Sequence, residues 1–187
     1  MSNSIKILKL LINDKEQFTI KRISEHLKMN YRIAYENVML LHEQGLIDIR
    51  KMGNAKACRF SNSFDKRVFQ AEYERREEKL QKKDLRIIHD RLSTLRFPFI
   101  ALLFGSFAKD KQSKHSDIDI MTIGGSIRNI EKEISLLPDK IHLTSITYEE
   151  FIEMARSREF SVVSEAMRNN IILLGIEEYY RLLKNAG

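Results

Sequence analysis

Residues Phe99-Ile100-Ala101-Leu102-Leu103-Phe104 form an apolar run of strand length that stops at Gly105-Ser106. After ten intervening residues the chain reads Asp117-Ile118-Asp119-Ile120. In an extended segment, side chains at i and i+2 point to the same face. Asp117 and Asp119 therefore project together, while Ile118 and Ile120 face the opposite way into a core. Two carboxylates held this close repel each other unless a cation lies between them or one takes up a proton. Mg²⁺ (or Mn²⁺), which takes oxygen ligands and often completes its shell with substrate phosphates, gives such a pair a purpose. Gly105 allows close backbone approach, and Ser106 with the following amides makes an anion site if it opens a helix.

The rest of the chain bounds this reading. At 187 residues it is one domain or two small ones, and 43% hydrophobic residues suffice for ordinary cores. No apolar run approaches the ~18–20 residues of a membrane span, so no membrane partner is expected. The N-terminal MSNSIKILKLLINDKE is interrupted by Lys6 and Lys9 and reads as a mature helix, not a signal peptide. One cysteine, Cys58, excludes an internal disulfide and a cysteine-rich zinc site, which points to a cytoplasmic protein. The net charge of +6 is compatible with a nucleic-acid partner. Residues 1–63 hold 11 Lys/Arg against 6 Asp/Glu, so the surplus lies in the first half.

Ile5, Ile7, Leu8, Leu11 and Ile12 recur at helical spacing. A short β-prone segment 17–20 follows, then a helix over about 20–27 that buries Ile23 and Leu27. After the turn at Lys28-Met29-Asn30, a third, longer helix runs to about Gln44 with the stripe Ile33, Ala34, Val38, Leu40 and Leu41, and Gly45 ends it. Segments 46–50 and 55–60 alternate as two strands joined by the turn 51–54. The pattern ISEHLKMNYRIAYENVMLLHEQGLIDIRKMGNAKACRF resembles the winged helix-turn-helix family of transcriptional regulators over about residues 1–62. The resemblance implies a helix in the major groove of double-stranded DNA and a basic wing on the backbone. It places Asn30, Tyr31, Arg32, Tyr35 and Glu36 near the start of the recognition helix, and Arg50, Lys51, Asn54 and Lys56 on the wing as phosphate contacts. The other use of such a module is protein contact or dimerisation, which Glu36 on the same face favours.

Residues 64–96 are strongly charged, with apolar residues sparse until Leu85, Ile88, Leu92 and Leu95. They read as one or two helices broken near 81–83. A helix with so narrow a stripe bridges two domains or pairs with a copy of itself, giving a homodimer. Arg75, Arg76, Glu77 and Glu78 read as a solvated face. Beyond the paired aspartates, Ile127, Ile130, Ile134 and Leu137 mark a helix that Pro138-Asp139 breaks, and residues 140–146 form a third strand. Thr147 opens a helix in capping-box style. A further helix covers about 159–169, and NNIILLGIEEYYRLL gives a short apolar segment and a closing helix.

The segment GSFAKDKQSKHSDIDI resembles the minimal nucleotidyltransferases of the DNA polymerase β superfamily: a strand, Gly-Ser, a spacer, then Asp-x-Asp on the next strand. Asp110 stands where that pattern usually has glycine. The tail is similar to the endings of archaeal and bacterial members. Overall the expected class is α+β: a winged helix-turn-helix at 1–62, a helical connector at 63–84, and a small mixed-sheet nucleotidyltransferase-like domain at 85–187. The resemblance implies that Gly105, Ser106 and Lys109 bind the triphosphate of a nucleotide. It makes Asp117 and Asp119 catalytic ligands of the metal, and a nucleoside monophosphate passes to an acceptor that is a protein, an RNA or a small molecule. One departure stands out. Active members usually carry a third carboxylate on the following strand, which here reads KIHLTSIT, with His142 at the corresponding position and Asp139 outside it. A histidine can act as a general base near neutral pH but is a poor Mg²⁺ ligand, and it is equally an ordinary strand residue without chemistry. Three readings follow: an enzyme with a DNA-binding module, a transcriptional regulator whose second domain binds nucleotide without catalysis, and an antitoxin-like interaction protein.

Overall fold

The structure, a computed structural model, describes the chain apart from residues 1, 15–16, 54, 114, 138–139, 158–160 and 187. It divides into two compact units, Met1–Ala71 and Glu72–Gly187.

The first unit is built from short elements with polar caps. Ser2 accepts from the Ile5 amide at the start of α1 (Asn3–Asn13), which buries Ile5, Ile7, Leu8, Leu10, Leu11 and Ile12. After β1 (Phe18–Thr19), Thr19 accepts from the Arg22 amide to cap α2 (Ile20–His26). The Asn30 side chain accepts from the Arg32 amide at 2.8 Å and caps α3 (Tyr31–Glu43). Such caps satisfy amides that have no acceptor inside the helix. At the other end of α3, Leu46 N–H donates to the Leu41 carbonyl and Gly45 N–H to the His42 carbonyl. Gly45 has φ +70, which completes a Schellman stop. The hairpin β2 (Ile47–Met52) and β3 (Ala55–Phe60) pairs antiparallel from Ile47↔Phe60 to Met52↔Ala55, and β1 joins β3 to give the order β1-β3-β2. Cys58 lies fully buried on β3 as a free thiol, and burial pushes its pKa up to about 11.

One expectation needs correction here. The buried stripe of α3 is Ala34, Val38 and Leu41 at i, i+4 and i+7, whereas Ile33 and Leu40 are exposed. A five-residue stripe would span more of the helix circumference than one core-facing side can cover. As for the connector expected at 63–84, the charged segment after residue 63 forms the helix α4 (Lys66–Lys79), and the division between units falls inside this helix, between Ala71 and Glu72. The break expected near 81–83 is present, at residues 80–82, before α5 (Lys83–Ser93).

The second unit is organised on a mixed four-stranded sheet of order β6-β5-β4-β7. Its strands are β4 (Ile100–Phe104), β5 (Ile118–Ile123), β6 (Ile141–Ile146) and β7 (Ile171–Leu174). β4 is antiparallel to both β5 and β7, and β6 is parallel to β5. The helices are the single turn α6 (Gly105–Ala108), α7 (Ile127–Ser135), α8 (Tyr148–Arg156), α9 (Val162–Arg168) and α10 (Ile176–Ala186). One core collects Leu80, Leu85, Ile88 and Leu92 with Ala101, Leu103, Ile118, Ile120, Ile130, Ile134, Ile171 and Leu173. Helices α5 and α7 therefore cover that sheet face, while α9 and α10 also contact β4. Thr147 and Glu150 form a reciprocal capping box at α8. The helix expected at 159–169 is observed as Val162–Arg168, and its expected start at Glu159, like the break at Pro138-Asp139, lies outside the described residues.

The expectation of a solvated face at Arg75–Glu78 is overturned at Arg75. Glu72 is 1% and Arg75 4% exposed. The guanidinium of Arg75 donates to Glu72 Oε2 and, at 2.7 Å, to the Asn170 carbonyl, while the Tyr180 hydroxyl donates to Glu72 Oε1 at 2.7 Å. Charge composition alone does not separate a buried i, i+3 pair from an exposed one, because the partners are Asn170, just before β7, and Tyr180 of α10, about a hundred residues later. Among the described residues, no helix is long and apolar enough to cross a membrane.

Candidate functional site

β4 delivers the chain into a bend that only glycine fits. Gly105 has φ +67, a region costly to residues with a Cβ. A Cβ built there would lie 2.1 Å from Asp119 Oδ2, so the missing side chain makes room for the carboxylate. Register supplies the juxtaposition, since Phe104 on β4 pairs with Asp119 on β5. Ile118 and Ile120 are buried, Asp119 is half-buried and Asp117 is exposed, the alternation expected of an extended segment. Thus Gly105 and Asp119 meet directly, and Asp117 lies two residues upstream, just before β5.

Ser106 follows in α6, half-buried. The first amides of any helical turn have no acceptor within it. α6 is one turn long, and its contribution is those few N–H groups rather than a macrodipole. Lys109, expected beside the phosphates, is placed with its ammonium 3.5 Å from Glu165 Oε1 of α9.

The parallel pairing of β5 with β6 sets Asp119 opposite His142. His142 Nδ1 lies 3.3 Å from Asp119 Oδ1, with the imidazole 67% and the carboxylate 28% exposed. β6 has the sequence IHLTSI and contains no acidic residue. Asp139 lies outside the described residues. Among the described residues, no group of three or more His, Cys, Asp or Glu could hold a metal ion. Two carboxylates nevertheless suit Mg²⁺, which binds through one or two carboxylates and fills its remaining positions with water and substrate phosphates. The donor set therefore fits a cation that arrives with phosphates, and does not make a closed protein metal centre.

Residues that sequence reasoning missed sit on the far side of the same turn. Lys79 Nζ lies 2.6 Å from Asp110 Oδ2 and 3.1 Å from the Phe107 carbonyl, and Lys82 Nζ lies 3.0 Å from Asp110 Oδ1. Burial pushes the Asp110 carboxyl pKa up, but hydrogen bonds and charges from the two lysines outweigh that and hold it below the usual carboxylate range. The signal available in the sequence was Asp110 itself, a carboxylate where the GSFAK pattern usually continues with glycine.

In the first unit the expected nucleic-acid contacts divide by occupation. Asn30 is spent on capping α3, and Arg32 is paired with Glu36 at 2.8 Å on the exposed surface. Tyr31 and Tyr35 are exposed, with ring centroids 6.3 Å apart. Lys56 Nζ lies over the Tyr35 ring at 4.9 Å and 3.2 Å from its hydroxyl. On the hairpin, Arg50 and Lys51 are exposed, and Lys51 stands directly opposite Lys56 in the ladder. Asn54, the remaining expected contact, lies outside the described residues.

Residues 87–178 match the family model described as "Polymerase beta, Nucleotidyltransferase". The matched segment lies within the second unit and takes in all four strands of its sheet. No curated protein and no solved structure matches the chain.

Proposed function

We propose that the second unit is a metal-dependent nucleotidyltransferase that passes a nucleoside monophosphate from a nucleoside triphosphate to an acceptor hydroxyl. The observation that carries this reading is the direct apposition of Gly105 and Asp119 within the family-matched segment. Amides from Ser106 onward bind phosphate oxygens, and Asp117 and Asp119 supply the protein oxygens for Mg²⁺ or Mn²⁺. A bound divalent cation supplies neutralisation of phosphate charge. An acceptor oxygen attacks the α-phosphorus, the bond to the bridging oxygen breaks, pyrophosphate leaves, and the hydroxyl proton passes to solvent or to a nearby base. In such transfers the protein mainly positions groups and compensates charge.

A second reading is favoured by one observation: β6 carries His142, not a carboxylate, beside Asp119. On that reading the unit binds nucleotide without transferring it, and the chain is a nucleotide-responsive regulator. Incubating the full chain with each α-³²P-labelled nucleoside triphosphate, Mg²⁺, and separate protein, RNA and small-molecule acceptor pools separates the two. The enzyme reading expects labelled acceptor from the wild type and none from Asp119→Ala; label surviving that substitution refutes it. No label, together with a Mg²⁺-dependent thermal shift by nucleotide that Asp117→Ala removes, supports the regulator. No shift in either protein favours a docking role.

For the first unit we propose binding to double-stranded DNA through α3 and the β2–β3 hairpin in the winged helix-turn-helix manner. Like charges directly opposed across strands destabilise a hairpin, so a DNA phosphate between Lys51 and its opposite neighbour Lys56 would relieve that pair. Tyr31, Arg32, Tyr35 and Arg50 extend the same polar surface as candidate contacts. Gel shift with random duplex should weaken steeply as salt rises, and salt-independent binding would exclude this mode.

A further inference from the structure

Four contacts converge on the segment Phe107–Asp110 from residues that precede the family-matched region. Lys79 donates to the Phe107 carbonyl and to Asp110, Lys82 pairs with the other oxygen of Asp110, and Lys82 also lies 5.9 Å from the Phe107 ring centroid. Lys79 is buried, 9% exposed, an unusual place for a lysine unless it is fully engaged. The base of the two lysines is fixed because Leu80, between them, is 1% exposed in the sheet core, and its carbonyl accepts from Arg86 Nε at 2.9 Å. Asp110 has φ +53, a conformation that glycine adopts most readily and aspartate tolerates. The chain thus retains a carboxylate where its backbone favours glycine, and that carboxylate is the point where both ammonium groups meet.

The segment they hold is the Gly105-Ser106 bend. Lys111 N–H donates to the Ser106 carbonyl at 3.0 Å, closing the loop from Ser106 to Lys111, and Gly105 abuts Asp119 Oδ2. Movement of Phe107–Asp110 is therefore transmitted to the contact between Gly105 and the Asp119 carboxylate. We propose that Lys79 and Lys82 are positioning residues which, through Asp110 and the Phe107 carbonyl, fix the Gly105-Ser106 bend against Asp119 and so set the affinity for the triphosphate group. This inference rests on the nucleotide-binding reading of that bend.

Inorganic triphosphate with Mg²⁺ is a suitable probe, because it carries the phosphate chemistry without a base. Calorimetric titration of the full chain should give binding by the wild type and none by Asp119→Asn. Asp110→Gly and Lys79→Met should each weaken binding about tenfold. The double variant should be no weaker than either single one, since both break the same clasp. Asp110→Gly suits the backbone conformation but takes the carboxylate from the buried Lys79, so it should lower thermal stability without unfolding the chain while accelerating amide exchange across 107–111 about tenfold. If the wild type fails to bind triphosphate, the nucleotide reading falls and this inference with it. If the wild type binds and both single variants bind as tightly, the inference alone is overturned. Equal and additive losses, or loss of affinity with unchanged exchange at 107–111, overturn it as well. Should Lys79→Met fail to fold, Asp110→Gly and Lys82→Met carry the same test.

Discussion

Replacing Arg75 with methionine removes the cation facing Glu72 while keeping most of the apolar stem. Glu72 is 1% exposed, so its charge loses its counter-ion without gaining water. The Tyr180 hydroxyl at 2.7 Å remains as a donor, but the Asn170 carbonyl loses the guanidinium bond at 2.7 Å. Breaking a buried pair by removing one partner costs about 3–5 kcal/mol, mostly the penalty of the stranded charge. A unit spanning 72–187 shifts its melting temperature by about 4 °C per kcal/mol, so the second unit should melt roughly 12–20 °C lower. Near-ultraviolet circular dichroism reports this, because Tyr179 and Tyr180 are buried at the site. Combining Arg75→Met with Glu72→Leu should recover most of the loss, leaving about 1 kcal/mol for the lost hydrogen bond between the Tyr180 hydroxyl and Glu72. A single variant that loses under about 1 kcal/mol, or a double variant as unstable as the summed singles, refutes the stranded-charge argument.

Other substitutions probe the remaining parts. Gly105→Ala places a methyl 2.1 Å from Asp119 Oδ2 at φ +67; it should cost about 1–2 kcal/mol in chemical unfolding and abolish nucleotide-dependent thermal shifts. Lys51→Glu converts a like-charge pair opposite Lys56 into an attractive one. It should stabilise the first unit by a few tenths of a kcal/mol, roughly 0.2–1, while weakening duplex binding and lowering its salt slope by about 1. Asp65 accepts from the Arg67 amide at 2.9 Å and pairs with the Arg67 side chain, and the hydrogen bond to that side chain lowers its pKa below the usual value. Its contribution is present above the unfolded-state pKa of about 4 and is lost as pH falls through the lower folded-state value. Asp65→Ala should cost about 1 kcal/mol at neutral pH and reduce the acid sensitivity of unfolding below about pH 4.

Much of this architecture was legible because local chemistry and tertiary need coincide. Asn30, Thr19 and Thr147 cap helices where a polar residue precedes an apolar period, and Gly45 stops α3 with the conformation only glycine adopts cheaply. The strand–bend–strand that brings Gly105 to Asp119 is contiguous in sequence, so its spacing carried its geometry. The strand β6 opposite Asp119 was also readable, since His142 falls at the register position the pattern predicts. What failed was long-range partnership. Arg75 looks like its exposed neighbours until Asn170 and Tyr180 are seen to close over it. Ile33 and Leu40 fit a helical period yet face outward, because the core admits one narrow side of α3. The pairing of Lys109 with Glu165, fifty-six residues later, is likewise a long-range contact that the local motif does not carry.

The segment 72–86 contributes Glu72, Arg75, Lys79, Leu80 and Lys82 to the second unit, although the family match begins only at residue 87. A truncation at the family boundary would leave the Tyr180 hydroxyl, the Asn170 carbonyl, the Phe107 carbonyl and Asp110 without the partners described above. For recombination between proteins, natural or engineered, the transferable piece is thus longer than its sequence signature. A segment moved without this prefix would carry Asp117 and Asp119 intact, yet arrive with its glycine bend parted from Lys79 and Lys82.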